Sequence, residues 1–255
     1  MPAALTLARF VLLEARRTGL PWLVLAALAA GIGLAGFVSQ LALTESAALQ
    51  AGVLAAYFRL CAIFLTAMFV VTSIVRETAD KGTELLLSLP ISSTEYYLGK
   101  LAGFAACGTA IAAVFSLALL LWASPQGVAA WFVSLALETT LVAGLSLFFV
   151  IGLGQVVPAL AATAGLYLLA RLMGTIQTIS RGPLSDDTGI MQRLASWAVD
   201  GVALLLPALD AATRTAWLLY APPDAGEFVR VLASLLLYGG LTTAAGLFDL
   251  YRRNL

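Results

Sequence analysis

The chain has 255 residues, of which 61% are apolar and 11% are charged, whereas soluble domains contain about 25% charged residues. The formal net charge is zero and histidine is absent, so the composition argues against nucleic-acid binding and excludes catalysis or metal binding by histidine. These numbers are typical of an all-α polytopic membrane protein, and the chain, 1–255, is predicted to form a single transmembrane domain.

The first segment, Pro2 to Thr18, is predicted to be an interfacial helix that lies along the membrane surface. Apolar residues form one stripe and polar residues occupy the other side. The stripe consists of Ala4, Leu7, Ala8, Val11 and Ala15, and the polar side of Thr6, Arg9, Arg16 and Arg17. A cleaved signal peptide is the alternative, but the acidic Glu14 and the long apolar run that follows favour a retained helix.

Six segments are predicted to span the membrane, because each is long and apolar enough to cross about 30 Å of hydrocarbon. They are residues 20–43, 54–75, 98–122, 128–151, 155–173 and 228–248. A tight turn at Ser124–Gly127 is expected to lead into the fourth span, and a short turn formed by Gly152 and Gly154 to follow it.

An elbow, residues 76–97, connects the second and third spans and is a long charged run between two strongly apolar segments. Its first part, 82–89, has the leucine pattern of a short amphipathic helix, which Pro90 would end. Ser92 and Glu95 then have the spacing of a capping box at the start of the next helix. This pattern predicts a rigid corner between two helices, and an ordinary solvated loop with a capped helix is the alternative.

An outer segment, residues 174–227, is polar enough to leave the membrane between the fifth and sixth spans. It contains an amphipathic stretch at 191–206 and is predicted to form short helices at the outer membrane interface. Trp197, Trp217 and Tyr220 are expected at the depth of the lipid head groups, where such side chains are enriched.

Basic residues predict the orientation of the chain. Six spans place most of them on one side, namely Arg9, Arg16 and Arg17 in the N-terminal arm, Arg76 and Lys81 in the elbow, Lys100 just after it, and Arg252 and Arg253 in the tail. Because short cytoplasmic loops are enriched in lysine and arginine, both termini are predicted to be cytoplasmic.

Glu138 lies near the middle of the fourth span, where an ionisable side chain is costly and indicates a transport pathway or a helix contact. The alternative is a carboxyl group that merely holds helices together through hydroxyl groups. Arg59 and Arg171 are near the outer ends of their spans, and snorkelling of their charged groups to the interface is the simpler explanation for both.

Gly99 and Gly103 place two small residues on one face of the third span, which implies close contact with another helix. The spacing does not distinguish a contact within one chain from a contact between two copies.

The elbow resembles that of permease subunits of the ABC-2 (type 2 exporter) family. The residues with this resemblance are Arg76-Glu77, Lys81-Gly82-Thr83-Glu84, Leu86, Leu89-Pro90, Ser92, Glu95 and Gly99-Lys100. The order of the predicted spans is also similar along the whole chain, most of all to the small permeases associated with copper-enzyme maturation and gliding machinery.

The resemblance implies a permease subunit of an ATP-driven transporter in the bacterial cytoplasmic (inner) membrane, which pairs with a second permease copy and works in export or in mechanical signalling. The elbow's coupling helix would bind a separate dimer of ABC ATPase subunits. The chain has no nucleotide-binding loop, so ATP and magnesium would be bound by those subunits, and this chain would be neither an enzyme nor a cofactor carrier.

The resemblance also assigns residues to the coupling function. Gly82, Thr83, Glu84, Leu86 and Pro90 would form the coupling helix and its end. Arg76, Glu77 and Glu95 would flank it and are expected to form salt bridges with the ATPase or with the N-terminal arm.

Two other classes of function are possible from the sequence. An ion-coupled secondary transporter should have a repeated half with interrupted helices in matching places, and Pro158 has no counterpart in the first three spans. An integral membrane enzyme would need a cluster of polar groups at one depth, and Glu138 stands nearly alone in the sequence. Within the favoured class, the alternative to transport is that the outer segment grips a periplasmic protein and the chain acts as a mechanical relay.

Overall fold

The computed structural model describes residues 2–41, 46–80, 92–180, 190–220 and 222–252, and over these ranges the chain is helical and contains no strand. The helices are α1 (Pro2–Arg17), α2 (Leu20–Leu41), α3 (Ser46–Ala79), α4 (Ser93–Leu119), α5 (Pro125–Leu153), α6 (Val156–Ser180), α7 (Ile190–Leu205), α8 (Ala216–Leu219) and α9 (Ala225–Arg252). The predicted all-α fold class is therefore confirmed.

Six helices, α2 to α6 and α9, are long and apolar enough to cross a membrane. The shortest has 22 residues and the longest 34, whereas a perpendicular crossing needs about 20. Each predicted span falls largely within one of these helices, in the predicted order. The protein is therefore a multi-pass membrane protein with six candidate transmembrane helices.

Two of the six helices extend past one end of the predicted span by at least seven residues. α3 begins at Ser46 and not near residue 54, because the intervening alanine, leucine and glutamine residues are strong helix formers. The Gln50 side chain also donates a hydrogen bond to the Ala35 carbonyl oxygen of α2 at 3.0 Å. α6 continues to Ser180 and not to residue 173, since no proline interrupts this stretch.

The predicted turn before α5 is confirmed, and the predicted glycine turn after it is confirmed at Gly154 but not at Gly152, which is still part of α5. Ser124 caps the helix by accepting a hydrogen bond from the Gly127 amide at 3.3 Å, and Pro125 occupies the first turn. Gly154 ends α5 with a φ of 66°, a left-handed conformation that glycine adopts without a steric penalty.

α5 is the central helix of the bundle, and α3, α4, α6 and α9 all pack against it. Its buried residues include Trp131, Leu135 and Leu147, which have no exposed surface. On the neighbouring helices, the rings of Phe58 and Phe115 stack with their centroids 4.8 Å apart. The core thus lies along the full length of α5.

The apolar stripe of α1 packs on α4. A Cβ atom added to Gly99 would lie 2.8 Å from the Ala4 carbonyl oxygen, and one added to Gly103 would lie 2.7 Å from the Val11 Cβ atom. The two glycines therefore serve a contact within the chain, which answers the question that their spacing left open. The stripe residue Val11 is completely buried by protein.

Both described ends of the chain lie at the end of the bundle where α3 meets α4, here called the elbow end. Ala4 of α1 adjoins Gly99, and the hydroxyl groups of Thr94 and Tyr251 are 2.6 Å apart. The start of α1 and the end of α9 are therefore on the same side of the bundle, as an even number of crossings requires.

Candidate functional site

The structure describes two groups of polar residues that bear on function, one at the elbow end and one inside the bundle. The predicted coupling residues Gly82, Thr83, Glu84, Leu86 and Pro90 lie outside the described residues. The elbow is therefore represented by the last turn of α3, with Arg76 and Glu77, and by the start of α4, with Glu95.

The predicted capping box at the start of α4 is confirmed. The Glu95 amide donates to the Ser92 hydroxyl oxygen at 3.2 Å, and the Ser92 amide donates to a Glu95 carboxylate oxygen at 3.4 Å. These bonds satisfy two amides that the first helical turn would leave without partners. The direction in which the chain leaves the elbow is thereby fixed.

Glu77 connects the two helices of the elbow. Its carboxylate lies 2.5 Å from the Lys100 Nζ atom of α4, and the Tyr96 hydroxyl group donates to its other oxygen at 3.3 Å. Both charged side chains are largely buried, with 14% and 7% of their surfaces exposed. We expected Glu77 to form a salt bridge with the ATPase or with the N-terminal arm. Its partner in the structure is instead Lys100 of the same chain, because α3 and α4 converge at this end.

Arg76 is exposed and lines a small cavity between α1, α2 and α3, with a volume of about 180 Å³. On the cavity wall, the Ser73 hydroxyl group donates to the Glu14 carboxylate at 2.8 Å. This bond ties the N-terminal helix to α3 one turn before the elbow. The expected salt bridge of Arg76 to the ATPase stays a prediction.

The second group surrounds Glu138, whose side chain is completely buried. The Tyr167 hydroxyl group of α6 donates to one carboxylate oxygen at 2.8 Å, and the Thr213 hydroxyl group of the outer segment donates to the other. The Arg171 guanidinium of α6 is 3.6 Å from the same carboxylate. We call Glu138, Tyr167, Arg171 and Thr213, with Ser134 and Arg59, the mid-bundle cluster.

Arginine side chains of the cluster bind backbone oxygens of the outer segment. Arg171 donates to the Ala212 carbonyl at 2.8 Å and also to the Leu209 carbonyl. Arg59 of α3 donates to the Thr213 carbonyl at 3.1 Å. The Leu209 oxygen also accepts from the Ala212 amide at 3.1 Å, but because residues 209–213 form no regular helix, the oxygens of Ala212 and Thr213 depend on the arginine side chains inside the bundle.

Thr213 has a φ of 48°, which is unfavourable for a β-branched residue and costs about 1–3 kcal/mol. Each of its polar atoms has a partner: its amide donates to the Ser134 hydroxyl oxygen at 2.9 Å, and its carbonyl and hydroxyl groups bind Arg59 and Glu138. The surrounding contacts hold the strained residue in place. Thr213 is therefore the point at which the outer segment is fixed to the bundle.

The cluster lies deep in the bundle. Glu138 is about 20 Å from the start of α5 at 1.5 Å per residue, and Trp217 contacts Gly127 close to that start. The outer segment thus dips from the end of the bundle towards its middle. Irregular backbone at this depth is tolerated only when protein groups satisfy it, which Arg59, Ser134 and Arg171 do.

Two expectations from the sequence are wrong. Arg171 does not snorkel to the interface, and neither does Arg59, since both are drawn inward by carbonyl oxygens of the outer segment. Glu138 does not stand nearly alone, because residues distant in sequence converge on it. Trp217 is only 4% exposed and packs against Phe228, whereas Trp197 and Tyr220 are 80% and 87% exposed; the position of all three at the depth of the lipid head groups stays a prediction.

Some residues of the mid-bundle cluster could be recognised from the sequence. Arg59, Arg171 and Glu138 are ionisable residues within apolar helices, which by itself suggests that they have partners inside the protein. Thr213 and Ser134 gave no signal, since neither residue type is unusual in its context. Of the two interpretations of Glu138, the observed contacts are those of a link between helices, and a role in a pathway stays a hypothesis.

No protein-family model matches the chain, and no curated protein matches it. The geometry of the two polar groups and the sequence of the elbow are therefore the basis for a functional assignment.

Proposed function

We propose that the chain is the membrane-spanning permease subunit of an ATP-driven exporter of the ABC-2 type. In this proposal the elbow binds a separate ATPase dimer, two permease copies form the complex, and ATP hydrolysis by the partner moves the permease. The resemblance of the elbow supports the class. The contacts of α3 support the mechanism and are the observation on which it chiefly depends.

α3 is an uninterrupted helix of 34 residues, about 50 Å long at 1.5 Å per residue. At the elbow end its Glu77 is paired with Lys100. Towards the opposite end its Arg59 holds the Thr213 carbonyl, and its Gly52 packs against Thr215 and Leu219. One rigid element thus joins the predicted ATPase contact to the outer segment.

The ion pair at the elbow makes the coupling between the ATPase contact and the outer segment efficient. Because Glu77 and Lys100 are largely buried and joined by Tyr96, α3 and α4 move together when the elbow is displaced. A displacement would reach the outer segment through Arg59 and, via α5 and α6, through Glu138 and Arg171. The outer segment can therefore act either as a gate for a substrate or as a grip on a periplasmic protein.

The proposed complex lies in a bacterial cytoplasmic membrane with both chain termini in the cytoplasm. Exposed arginines at the elbow end support this orientation, among them Arg9, Arg17, Arg76 and Arg252. The predicted coupling helix then faces the cytoplasm, where ATP is available.

Co-purification tests the proposal. The chain and the ATPase expected to be encoded beside it are expressed together, and the permease is isolated through an affinity tag. We expect the ATPase to be retained by the wild-type chain and lost with Leu86→Asp or Glu84→Lys, since both changes fall on the predicted coupling helix.

A matched control is Glu45→Lys, the same charge reversal between α2 and α3, away from the elbow in sequence. This variant should retain the ATPase. Loss of the ATPase in the control as well, or its retention by both elbow variants, would contradict the proposal.

An ion-coupled secondary transporter is the second candidate, because the mid-bundle cluster contains buried ionisable residues of the kind that such transporters use. Against it, both oxygens of Glu138 already have partners within the chain. Purified protein in liposomes distinguishes the two: uptake that is driven by an ion gradient without any ATPase would favour this candidate.

A further inference from the structure

An apolar groove lies between α1, α2 and α4 on the surface of the bundle, near the turn that joins the first two helices. It has a volume of about 400 Å³, within the range of about 300–1,000 Å³ that is usual for ligand pockets. Its walls are formed by Leu12 and Ala15 of α1, Val24 of α2, and Ile111 and Val114 of α4. The groove is therefore apolar and opens onto the surface of the protein.

Among the described residues that line the groove, Arg16 is the one charged side chain, and none of them is a carboxylate. Glu14, the nearest acidic residue along α1, instead lines the cavity on the other side of the helix and accepts a hydrogen bond from Ser73. A cation on the wall of an otherwise apolar groove is complementary to an anionic head group joined to a hydrocarbon chain.

The position of the groove matches that of a lipid. Its rim contains exposed apolar residues, with Leu12 at 40% and Leu25 at 50% exposure, and α2 is one of the candidate transmembrane helices. Arg16 precedes the start of α2, where a membrane-spanning helix would pass from the head groups into the hydrocarbon. Arg16 therefore lies on the side of the lipid head groups and the apolar lining on the side of the hydrocarbon. The phosphate and the acyl chain of a phospholipid have the same arrangement.

We propose that this groove is a binding site for an anionic phospholipid, with one acyl chain along Val24, Ile111 and Val114 and the phosphate group at Arg16. The lipid fills the space that the α1–α2 corner leaves beside α4 and attaches the N-terminal arm to the bilayer. The proposal does not depend on the function proposed above.

Native mass spectrometry of the detergent-purified protein tests this site. The protein is incubated with equal amounts of phosphatidylglycerol and phosphatidylcholine that have identical acyl chains, and the first bound lipid is quantified. We expect the wild-type protein to prefer phosphatidylglycerol about fivefold, which corresponds to about 1 kcal/mol for one arginine at an anionic surface. Arg16→Gln should abolish this preference.

Arg9→Gln is the matched control for charge, since Arg9 is an exposed arginine of α1 that does not line the groove. The acyl-chain part is tested with Ala110→Phe, which places a large side chain at an exposed position of the groove wall. Ala102→Phe is its control, an exposed alanine of α4 outside the groove.

Ala110→Phe should lose the first bound phosphatidylglycerol, whereas Arg9→Gln and Ala102→Phe should retain it. The proposal is overturned by equal binding of both lipids to the wild-type protein, by a preference that survives Arg16→Gln, or by retention of the lipid in Ala110→Phe. Arg16 and Ala110 are exposed, so neither change removes a buried contact, and thermal unfolding verifies that each variant is folded.

Discussion

The guanidinium group of Arg171 lies 3.6 Å from the carboxylate of Glu138 and also donates hydrogen bonds to the carbonyl oxygens of Leu209 and Ala212. One side chain thus neutralises a buried charge of α5 and satisfies the irregular backbone of the outer segment. This double function predicts how substitutions in the mid-bundle cluster behave.

Glu138→Gln should destabilise the protein by about 3–5 kcal/mol, because the change leaves the charge of Arg171 without its buried counter-ion. The free energy of unfolding is measured by reversible denaturation in mixed micelles. Glu227→Gln is the control, since Glu227 and Arg214 form an ion pair with 35% and 44% of their side chains exposed. Exposed pairs contribute about 0–1 kcal/mol, and equal effects of the two changes would contradict the prediction.

The double variant Glu138→Met/Arg171→Met tests whether the ion pair alone accounts for the stability of the mid-bundle cluster. If the two residues were only counter-ions, replacing both by apolar residues should be nearly neutral. We expect the double variant to remain destabilised, because the Ala212 carbonyl oxygen loses the Arg171 donor and the hydroxyl groups of Tyr167 and Thr213 lose their acceptor, and each such buried group costs about 1–3 kcal/mol. The free energy of unfolding of the double variant measures this residual cost, and a near-neutral double variant would show that these hydrogen bonds contribute little.

Two substitutions of Thr213 are predicted to change the free energy of unfolding in different directions. Thr213→Val retains the shape but removes the hydroxyl group that Glu138 accepts from, and should cost about 1–3 kcal/mol of unfolding free energy. Thr213→Ser retains the hydroxyl group and relieves the branched side chain at positive φ, so it should be neutral or slightly stabilising. A Thr213→Ser variant that is as unstable as Thr213→Val would refute the importance of the hydroxyl contact.

Gly103→Ala should weaken the contact between α1 and α4, because the new Cβ atom would lie 2.7 Å from the Val11 Cβ atom. We expect a loss of about 1–3 kcal/mol from overpacking and faster proteolysis of α1. Gly240→Ala is the control, since that helical glycine of α9 has nothing within 4 Å of an added Cβ atom. The oligomeric state should not change in either variant; dissociation of a complex by Gly103→Ala would show that the glycine contacts a second copy.

Glu77→Lys should separate the two helices of the elbow, because it places like charges where an ion pair of 2.5 Å now lies. The exchange Glu77→Lys/Lys100→Glu restores opposite charges and should bring the helices together again. The distance between spin labels at the exposed positions Thr78 and Leu98 reports the change. A distance distribution that is unaltered in the single variant would mean that the pair does not hold the elbow.

The sequence predicted local structure well where a local cause exists. The capping box of Ser92 and Glu95, the glycine end of α5 at Gly154 and the existence of six apolar helices depend on neighbouring residues and on segment length. The start of α3 was misplaced because residues 54–75 are by themselves long enough to cross a membrane, so the span needed no contribution from residues 46–53, although these are mostly good helix formers. Hydropathy locates the part of a helix inside the membrane and not the ends of the helix.

The sequence by itself therefore determined the fold class, the number and order of the apolar helices and the composition of the elbow, since these follow from periodicity and from the cost of placing polar groups in hydrocarbon. Only the tertiary structure decided the partners: Gly103 with Val11, Glu77 with Lys100, and Glu138 with Tyr167, Arg171 and Thr213. Members of these sets lie far apart in the chain, and an isolated charge in a helix specifies that it needs a partner but not which residue supplies it. That choice is made by packing, which brings α3, α5, α6 and the outer segment to one depth.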